Sequence, residues 1–514
     1  MAQIVICAGI SYSSYMRPVG AFQIANVLRQ QGYTVQVIDS WPFIAARGKE
    51  MVKSLLGHFT NKDTLWIGFS STWFKRLKGD NKNAGIVYKD TDDLLDNTFL
   101  FDDEDLEDIK KYLLDKSPNL KFVLGGGRAP IGRLGHRPNF IDCYIEGYAD
   151  KTVVEYTNYL KGKNPFLPVH KNPDGSISII HDHKASTFDY NNHRFSWHKN
   201  DLVRKGEALP MEIARGCIFN CSFCAYPLNG RKKLDYLKNS SILLEQLEEN
   251  YSRYETTHYW FLDDTFNDSP EKLEILYNEV FSKLSFKINF NAFMRLDLLA
   301  AHPHTIDILK ESGCGGYSFG IESLNYQALK SIGKGIKKEK IYDTLVSIKE
   351  KQPDVLIDSQ FIIGLPYETK ETVKEWITEI IDPAYPLENA KIHLLAFNPF
   401  KQVPNIWVSN FETYPEKYGY TFLHGTNTAW VNNMGFSIVD AIKLKNQLED
   451  LMSKKEGDAW LGYAGFINVG LSEVEARNRI KFNRNTLQRS TDYDLRKKHT
   501  SNYIDLLFRT DPQF

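Results

Sequence analysis

The chain has 514 residues, well above the size at which a single hydrophobic core stops growing, so two or three domains are expected. Its 42% hydrophobic and 25% charged residues describe a folded protein, and 63 Lys and Arg against 64 Asp and Glu (net charge −1) give neither a nucleic-acid footprint nor a polybasic membrane patch. No apolar run reaches the ~18 residues of a spanning helix, the first residues lack the basic start of a signal peptide, and six cysteines are too few for a disulfide scaffold, so a reducing, cytoplasmic setting is expected.

Short apolar runs alternate with helical patterns from the start. Ile4 to Ala8 predicts a buried strand. Ala21 to Gln31 predicts a helix, and Thr34–Asp39, Leu65–Ser70, Lys121–Leu124 and Asp142–Ile145 predict further strands. This alternation indicates an α/β, doubly wound, Rossmann-like domain over 1–161. Residues 162–205 hold Pro165, Pro168, a Pro173-Asp174-Gly175 turn and five of the 13 histidines. They read as a linker with a small β element, Ser176 to His181 forming one arm of a hairpin. His181 and His183, on one face of a strand with no third ligand near, read as solvated linker histidines.

From 206 to 414 six strands are predicted, at 209–215, 258–263, 288–294, 316–322, 355–364 and 390–398, with amphipathic helices between them. Six units suggest a partial (β/α)6 barrel. Residues 415–514 carry helical patterns near 437–454 and 471–488 and are expected to be mostly helical and to cover a substrate, with Trp430 and Trp460 as either pocket wall or core.

The strongest chemical signal is Arg215-Gly216-Cys217-Ile218-Phe219-Asn220-Cys221-Ser222-Phe223-Cys224, three cysteines spaced C-x3-C-x2-C on the loop after the first barrel strand. Loops at that edge form the catalytic face of such barrels. Three thiolates suit zinc or an iron–sulfur cluster. Structural zinc asks for four closed ligands, whereas a four-iron cluster held by three cysteines keeps one iron open. Cys314 reads as a small buried hydrophobe.

The cysteine run resembles the cluster loop of the radical S-adenosylmethionine (SAM) superfamily, including Phe223 before the last cysteine. The resemblance implies a [4Fe-4S] cluster on Cys217, Cys221 and Cys224. SAM would be chelated at the open iron and cleaved to a 5'-deoxyadenosyl radical, with Phe223 near the adenine. It continues in order along the barrel. Trp260-Phe261-Leu262-Asp263-Asp264 stands where an acidic residue meets the SAM amino group, which points to Asp263. Arg295 ends the third strand as a partner for the SAM carboxylate. Glu322 and Ser323 end the fourth strand, and Gln360 and Gly364 the fifth, as amino- or ribose-binding positions. No cysteine follows Cys314, so no auxiliary cluster domain of the SPASM or twitch type is expected.

The first domain resembles the cobalamin-binding domain of the B12-dependent radical SAM subfamily. The matching pieces are Arg17-Pro18-Val19-Gly20, Val37-Ile38-Asp39, Gly125-Gly126-Gly127 and Asp142 to Gly147. Ser70, Gly125, Gly126 and Gly127 are then the cobalamin-contacting positions. The Asp-x-His-x-x-Gly motif whose histidine replaces the lower base of cobalamin is missing, since no histidine lies in the loop after the first strand. The resemblance implies a cobalamin-dependent radical SAM methyltransferase acting at an unactivated carbon of a small-molecule or peptide substrate. Its electrons would come from an external donor such as flavodoxin or ferredoxin, and no nucleic-acid or membrane partner is implied. The alternatives are a radical SAM enzyme without functional cobalamin, performing cyclisation, rearrangement or oxidation, and a non-catalytic iron–sulfur or zinc protein.

Overall fold

The computed structural model describes residues 2–9, 16–45, 47–70, 103–126, 129, 140–172, 174–180, 188–398, 401, 407–457, 459–485 and 489–510. Most of the loop Gly9–Arg17, the segment from Ser71 to Trp73, Gly127 and the pair His181 and His183 lie outside the described residues.

Seven strands make the first sheet: β1 (Ile4–Cys7), β2 (Val35–Ile38), β3 (Trp66–Ser70), β4 (Lys121–Gly126), β5 (Cys143–Glu146), β6 (His170–Lys171) and β7 (Ile177–Ile180). Their order is β2-β1-β3-β4-β5-β7-β6, parallel throughout except for the β6–β7 hairpin. Every residue of β1, β2 and β5 is buried, as a sheet covered on both faces requires. The helices Val19–Gln30 and Thr152–Leu160 share one core with Ile4, Ile6 and Val35. The helices Lys49–Phe59 and Asp103–Lys116 share the opposite core with Val5, Ile67 and Phe122. The strand order reverses between β1 and β3, and sheets of this kind bind ligands outside the carboxyl ends of the strands at such a point.

The segment expected to be a linker is part of this unit. β7 pairs in parallel with β5, and Trp197, 2% exposed, sets its ring edge-on at 4.8 Å to Phe22 of the first helix. Burial of Trp197 and Ile179 is the reason: neither belongs in a solvated connector.

The second sheet contains β8 (Leu209–Glu212), β9 (His258–Leu262), β10 (Asn289–Met294), β11 (Cys314–Glu322), β12 (Leu356–Ile363) and β13 (Asn389–Leu394), all parallel and in sequential order. Helices intervene between successive strands. Tyr317, Phe319, Ile357, Phe361 and Ile363 alternate toward those helices, where Phe361 stacks on Trp376 at 5.4 Å. The other face is spare on β11 because Gly316 carries no side chain. A Cβ there would lie 2.6 Å from the Trp460 ring.

Trp460 belongs to the helix Ala459–Asn468, whose first amides donate to the Asp358 carboxylate of β12 (Ala459 N at 2.7 Å). The same helix bonds Asn289 at the start of β10, His258 at the start of β9, and Ala208 just before β8. It therefore crosses the amino ends of the strands, away from the cysteine loop. This part of 415–514, the region expected to be mostly helical and to cover a substrate, packs at the end of the sheet opposite that loop. Trp430 and Trp460 are both fully buried. A ten-residue helix with eight buried positions is internal, whatever its neighbours. Among the described residues, the stretch up to about residue 436 stays on the cysteine side, where Tyr420 Oη donates to Gly364 O at 2.9 Å and, just before it, Phe411 N donates to Ser222 O at 3.0 Å. The helix Arg489–Arg509 returns to the first sheet, placing Tyr503, Ile504 and Leu507 in its second core.

Two arginines, Arg17 buried and Arg215 partly buried, fasten the sheets together. Arg17 Nε lies 2.7 Å from Glu207, its Nη1 is 3.2 Å from Asp39, and it donates to the carbonyls of Asp201 and Leu202. Arg215, just before the cysteines, pairs with Asp150 at 2.6 Å and Glu212 at 2.6 Å.

Candidate functional site

The carboxyl ends of β8 to β12 gather the residues singled out in the sequence. The loop after β8 is fixed by its own backbone: Cys217 N donates to Leu228 O, Arg231 N to Cys217 O, and Cys224 N to Cys221 O. Cys217 is buried, while Cys221 and Cys224 are partly open. Burial raises the Cys217 and Cys221 thiols. Thr265 Oγ1, 3.3 Å from Cys217 Sγ, works against this, as do Lys334 and Arg295 beside Cys221.

No three His, Cys, Asp or Glu side chains among the described residues are gathered closely enough to hold a single metal ion. Zinc would need such convergence. A cluster ligated through one cysteine per iron does not, because its thiols stand apart around it. Two cations, Arg295 and Lys334, beside Cys221 also suit an anionic cluster, so the three-cysteine donor set fits one.

Arg295 is only 6% exposed. Its Nη1 donates to Cys221 Sγ at 3.6 Å, its Nε and Nη2 grip Asp297, and its guanidinium lies 4.0 Å above the Phe219 ring. The fork expected to meet a SAM carboxylate is thus occupied by Asp297, and Arg295 is placed as a cation beside the cysteine loop. Glu322 pairs with Lys334 at 2.8 Å and holds φ +74, a costly conformation for a non-glycine residue, at the bulge that ends β11. Lys334 also lies 5.8 Å from the Phe223 ring.

Three of the expected residues are engaged by the protein itself. Asp263 points inward to Lys272, 2.6 Å away, with both side chains fully buried. Its neighbour Asp264 is the acidic residue that opens onto the site. Asp264 is hydrogen-bonded to Tyr226, and although open on one side it is crowded by protein, which raises its carboxyl to about 7. Ser323 is fully buried. It donates to Glu368 at 2.7 Å and accepts from Asn325 N, so its hydroxyl is spent on the fold. Gly364 (φ +108) is approached by Trp430, not left open to a ligand: a Cβ would overlap the indole. We expect Gly364→Ala to cost about 2 kcal/mol in a urea melt, from strain and overpacking together.

Gln360, half-buried on β12, keeps its amide free of protein partners among the described residues. Ser70, Gly125 and Gly126 end β3 and β4. A Cβ on Gly125 would meet only Ile145 O, at 3.8 Å, so the backbone there is open to close approach by a large ligand. Cys314 is buried, with its thiol pushed up to about 12 and donating to Gly316 O at 3.2 Å.

Sequence reasoning missed Lys272, Lys334, Tyr226 and Tyr148. The i,i+4 spacing of Asp268 and Lys272 was a usable signal. Tyr148, just beyond β5, shares a hydrogen bond of 2.8 Å with Tyr226 of the cysteine loop, and Arg215 lies 5.2 Å over its ring.

Behind the loop sits an unpaired cation. Lys238 is 2% exposed, its ammonium has no acceptor among the described residues, and it lies 5.0 Å over the Tyr190 ring. Burial lowers it to about 8, opposed by Glu212 and Asp150 and assisted by Arg215. The folded chain releases this proton before the unfolded one, so its cost is full below about pH 8 and is relieved as pH rises toward the ordinary lysine range. Lys238→Met, which keeps contact with the Tyr190 ring, is expected to stabilise the protein at pH 7 by on the order of 1–2 kcal/mol. Denaturant melts from pH 7 to 10 should show stability rising for the parent chain but not, from this source, for the variant.

The Radical SAM superfamily model matches residues 211–380, from β8 through the helix Lys370–Ile381. An uncharacterized methyltransferase of Pyrococcus horikoshii is 31% identical over 178 residues, 34% of this chain and 37% of that protein. A bacteriochlorophyllide d C-12(1)-methyltransferase of Chlorobaculum tepidum is 28% identical over 181 residues, 35% of this chain and 38% of that protein. The match thus spans little more than a third of the length of these curated relatives. The fold resembles that of the radical SAM methyltransferase TsrM from Kitasatospora setae, solved with cobalamin and a [4Fe-4S] cluster bound. The TM-score is 0.60 at 14% identity, over 94% of this chain and 99% of that one.

Proposed function

We propose, on the premise that the chain belongs to the radical SAM superfamily, that it is a cobalamin-dependent enzyme cleaving SAM at a [4Fe-4S] cluster and methylating an unactivated carbon of a small substrate. The observation that carries this reading is the meeting of two carboxyl edges. Tyr148 beyond the first sheet bonds to Tyr226 of the cysteine loop, so groups held on the two edges would face a common space. The methyltransferase names of the relatives support the choice of reaction.

When bound, the cluster and SAM supply one-electron reductive bond cleavage and cobalamin supplies a transferable methyl group. The chain's own residues then have separable tasks. Cys217, Cys221 and Cys224 would hold three irons, and Arg295 and Lys334 would offset their charge. Phe223, Asp264, Glu322 and Gln360 would surround SAM. Ser70, Gly125 and Gly126 would meet the corrinoid. The bond from Phe411 N to Ser222 O, which ties the following segment to the loop, would help exclude water from reactive species. The electron donor would be external, a flavodoxin or ferredoxin, in a reducing cytoplasm.

The test is anaerobic. The chain is loaded with iron, sulfide and hydroxocobalamin, free ligand is removed, and iron and corrinoid are quantified. SAM and reductant are then added and 5'-deoxyadenosine is assayed. Retained corrinoid together with deoxyadenosine is expected. A fully iron-loaded chain that yields neither would sink the proposal. Deoxyadenosine without corrinoid would favour the second reading, a radical SAM enzyme without functional cobalamin, which the absence of any histidine before His58 makes worth separating.

A further inference from the structure

Between the cysteine loop and the strap around residue 410 lies a cavity of about 250 Å³, reaching the wall of Cys224. That is room for about eight waters, or one substituted ring. Among its described lining residues none is charged. Tyr226 and Trp407 supply two aromatic walls, and Asn220, Asn229 and Asn410 supply amides.

The aromatic walls are held from behind. Tyr148 lies nearly parallel to Trp407, with ring centroids 6.2 Å apart and planes at 22°, while its hydroxyl bonds to Tyr226. The amides are largely unspent. The bond among them, from Asn410 Nδ2 to Asn220 Oδ1, is long at 3.5 Å. Aromatic faces recognise flat rings, and free carboxamides recognise groups that both donate and accept. An anion would find no cation among the described lining residues, and the Asp264 carboxyl stands beyond Tyr226.

We infer that this cavity is the substrate subsite and that it selects an uncharged planar ring bearing an amide-like edge. The inference rests on the reading of the chain as a radical SAM enzyme, and it names the substrate class for that site.

The test uses nicotinamide and nicotinate, nearly the same shape but differing in charge. Binding to the full, cluster-loaded chain is titrated by saturation-transfer NMR without SAM or reductant. Nicotinamide is expected to bind at least about tenfold more tightly than nicotinate. Trp407→Ala should weaken nicotinamide by a similar factor. Asn410→Asp, which barely changes volume, should weaken it several-fold and favour the N1-methylnicotinamide cation. Equal binding of the two probes, no binding of either at millimolar concentration, or affinities indifferent to both substitutions would each overturn the assignment. Probe binding and SAM cleavage are read separately. A chain that selects nicotinamide but makes no deoxyadenosine would refute the enzymatic reading alone, and one that makes deoxyadenosine without selectivity would refute the subsite alone.

Discussion

Replacing Cys217 by alanine is expected to reduce reductive SAM cleavage by at least about a hundredfold, because activity passes entirely through the cluster and a lost ligand is not compensated. Cys217 is the buried one of the three thiols, with Thr265 Oγ1 at 3.3 Å and no fourth cysteine in the loop to replace it. The measurement pairs iron content with 5'-deoxyadenosine yield. A structural role alone would lower the melting temperature and leave yield per bound cluster unchanged. The expected result is loss of iron and of product with a far smaller change in stability, since removing one thiol from a loop held by backbone bonds at Cys217, Arg231 and Gly230 leaves those bonds in place.

The second large effect concerns stability. Arg17→Leu is expected to cost about 3–5 kcal/mol, the range for breaking a buried pair and leaving its partners charged. Burial by itself would raise the Glu207 carboxyl, yet Arg17, with Arg204 further off, holds it below its ordinary value. At Asp39 burial prevails and the carboxyl stays raised even with Arg17 present. Without the guanidinium both would be pushed up, and two carbonyls, of Asp201 and Leu202, would lose their donor. The pH dependence follows. A carboxyl raised in the folded state stabilises when protonated, so the variant's deficit should be greatest above neutrality and shrink as pH falls toward about 4, where the unfolded groups titrate. Urea melts at several pH values would show this, and a deficit independent of pH would mean that lost packing on Phe22 and Trp197 dominates.

The strands were legible because parallel strands covered on both faces read as short apolar runs: Ile4–Cys7 and Trp66–Ser70 lie where such runs fall. The cysteine loop was legible because its spacing is local. Whatever depends on partners distant in sequence was not. Asp263 and Asp264 are adjacent and chemically alike. Lys272, arriving on the next helix, buries one and leaves the other facing the site. Gly364 reads as a position for a ligand until Trp430, 66 residues later, is seen to occupy the space. The helix Ala459–Asn468 carries no clean period because it is buried nearly all round, so it could not be told from a surface cover.

The return of the helix Arg489–Arg509 to the first sheet bears on how the protein is made. Asp39 N donates to Tyr503 Oη across 464 residues of chain, and Ile504 and Leu507 complete a core begun by Val5 and Ile38. During synthesis at 5–20 residues per second, roughly half a minute to a minute and a half separates the emergence of those partners. Through that interval the part of this core beside Ile38, Ile44 and the helix Lys49–Phe59 lacks its last apolar cover, while the segments that form the second sheet emerge and begin to fold. Such a patch is a binding surface for a holdase chaperone and a hazard for intermolecular association. Nascent chains stalled before residue 489 should therefore stay chaperone-bound, and release should follow the appearance of the last helix, not completion of the strands it covers.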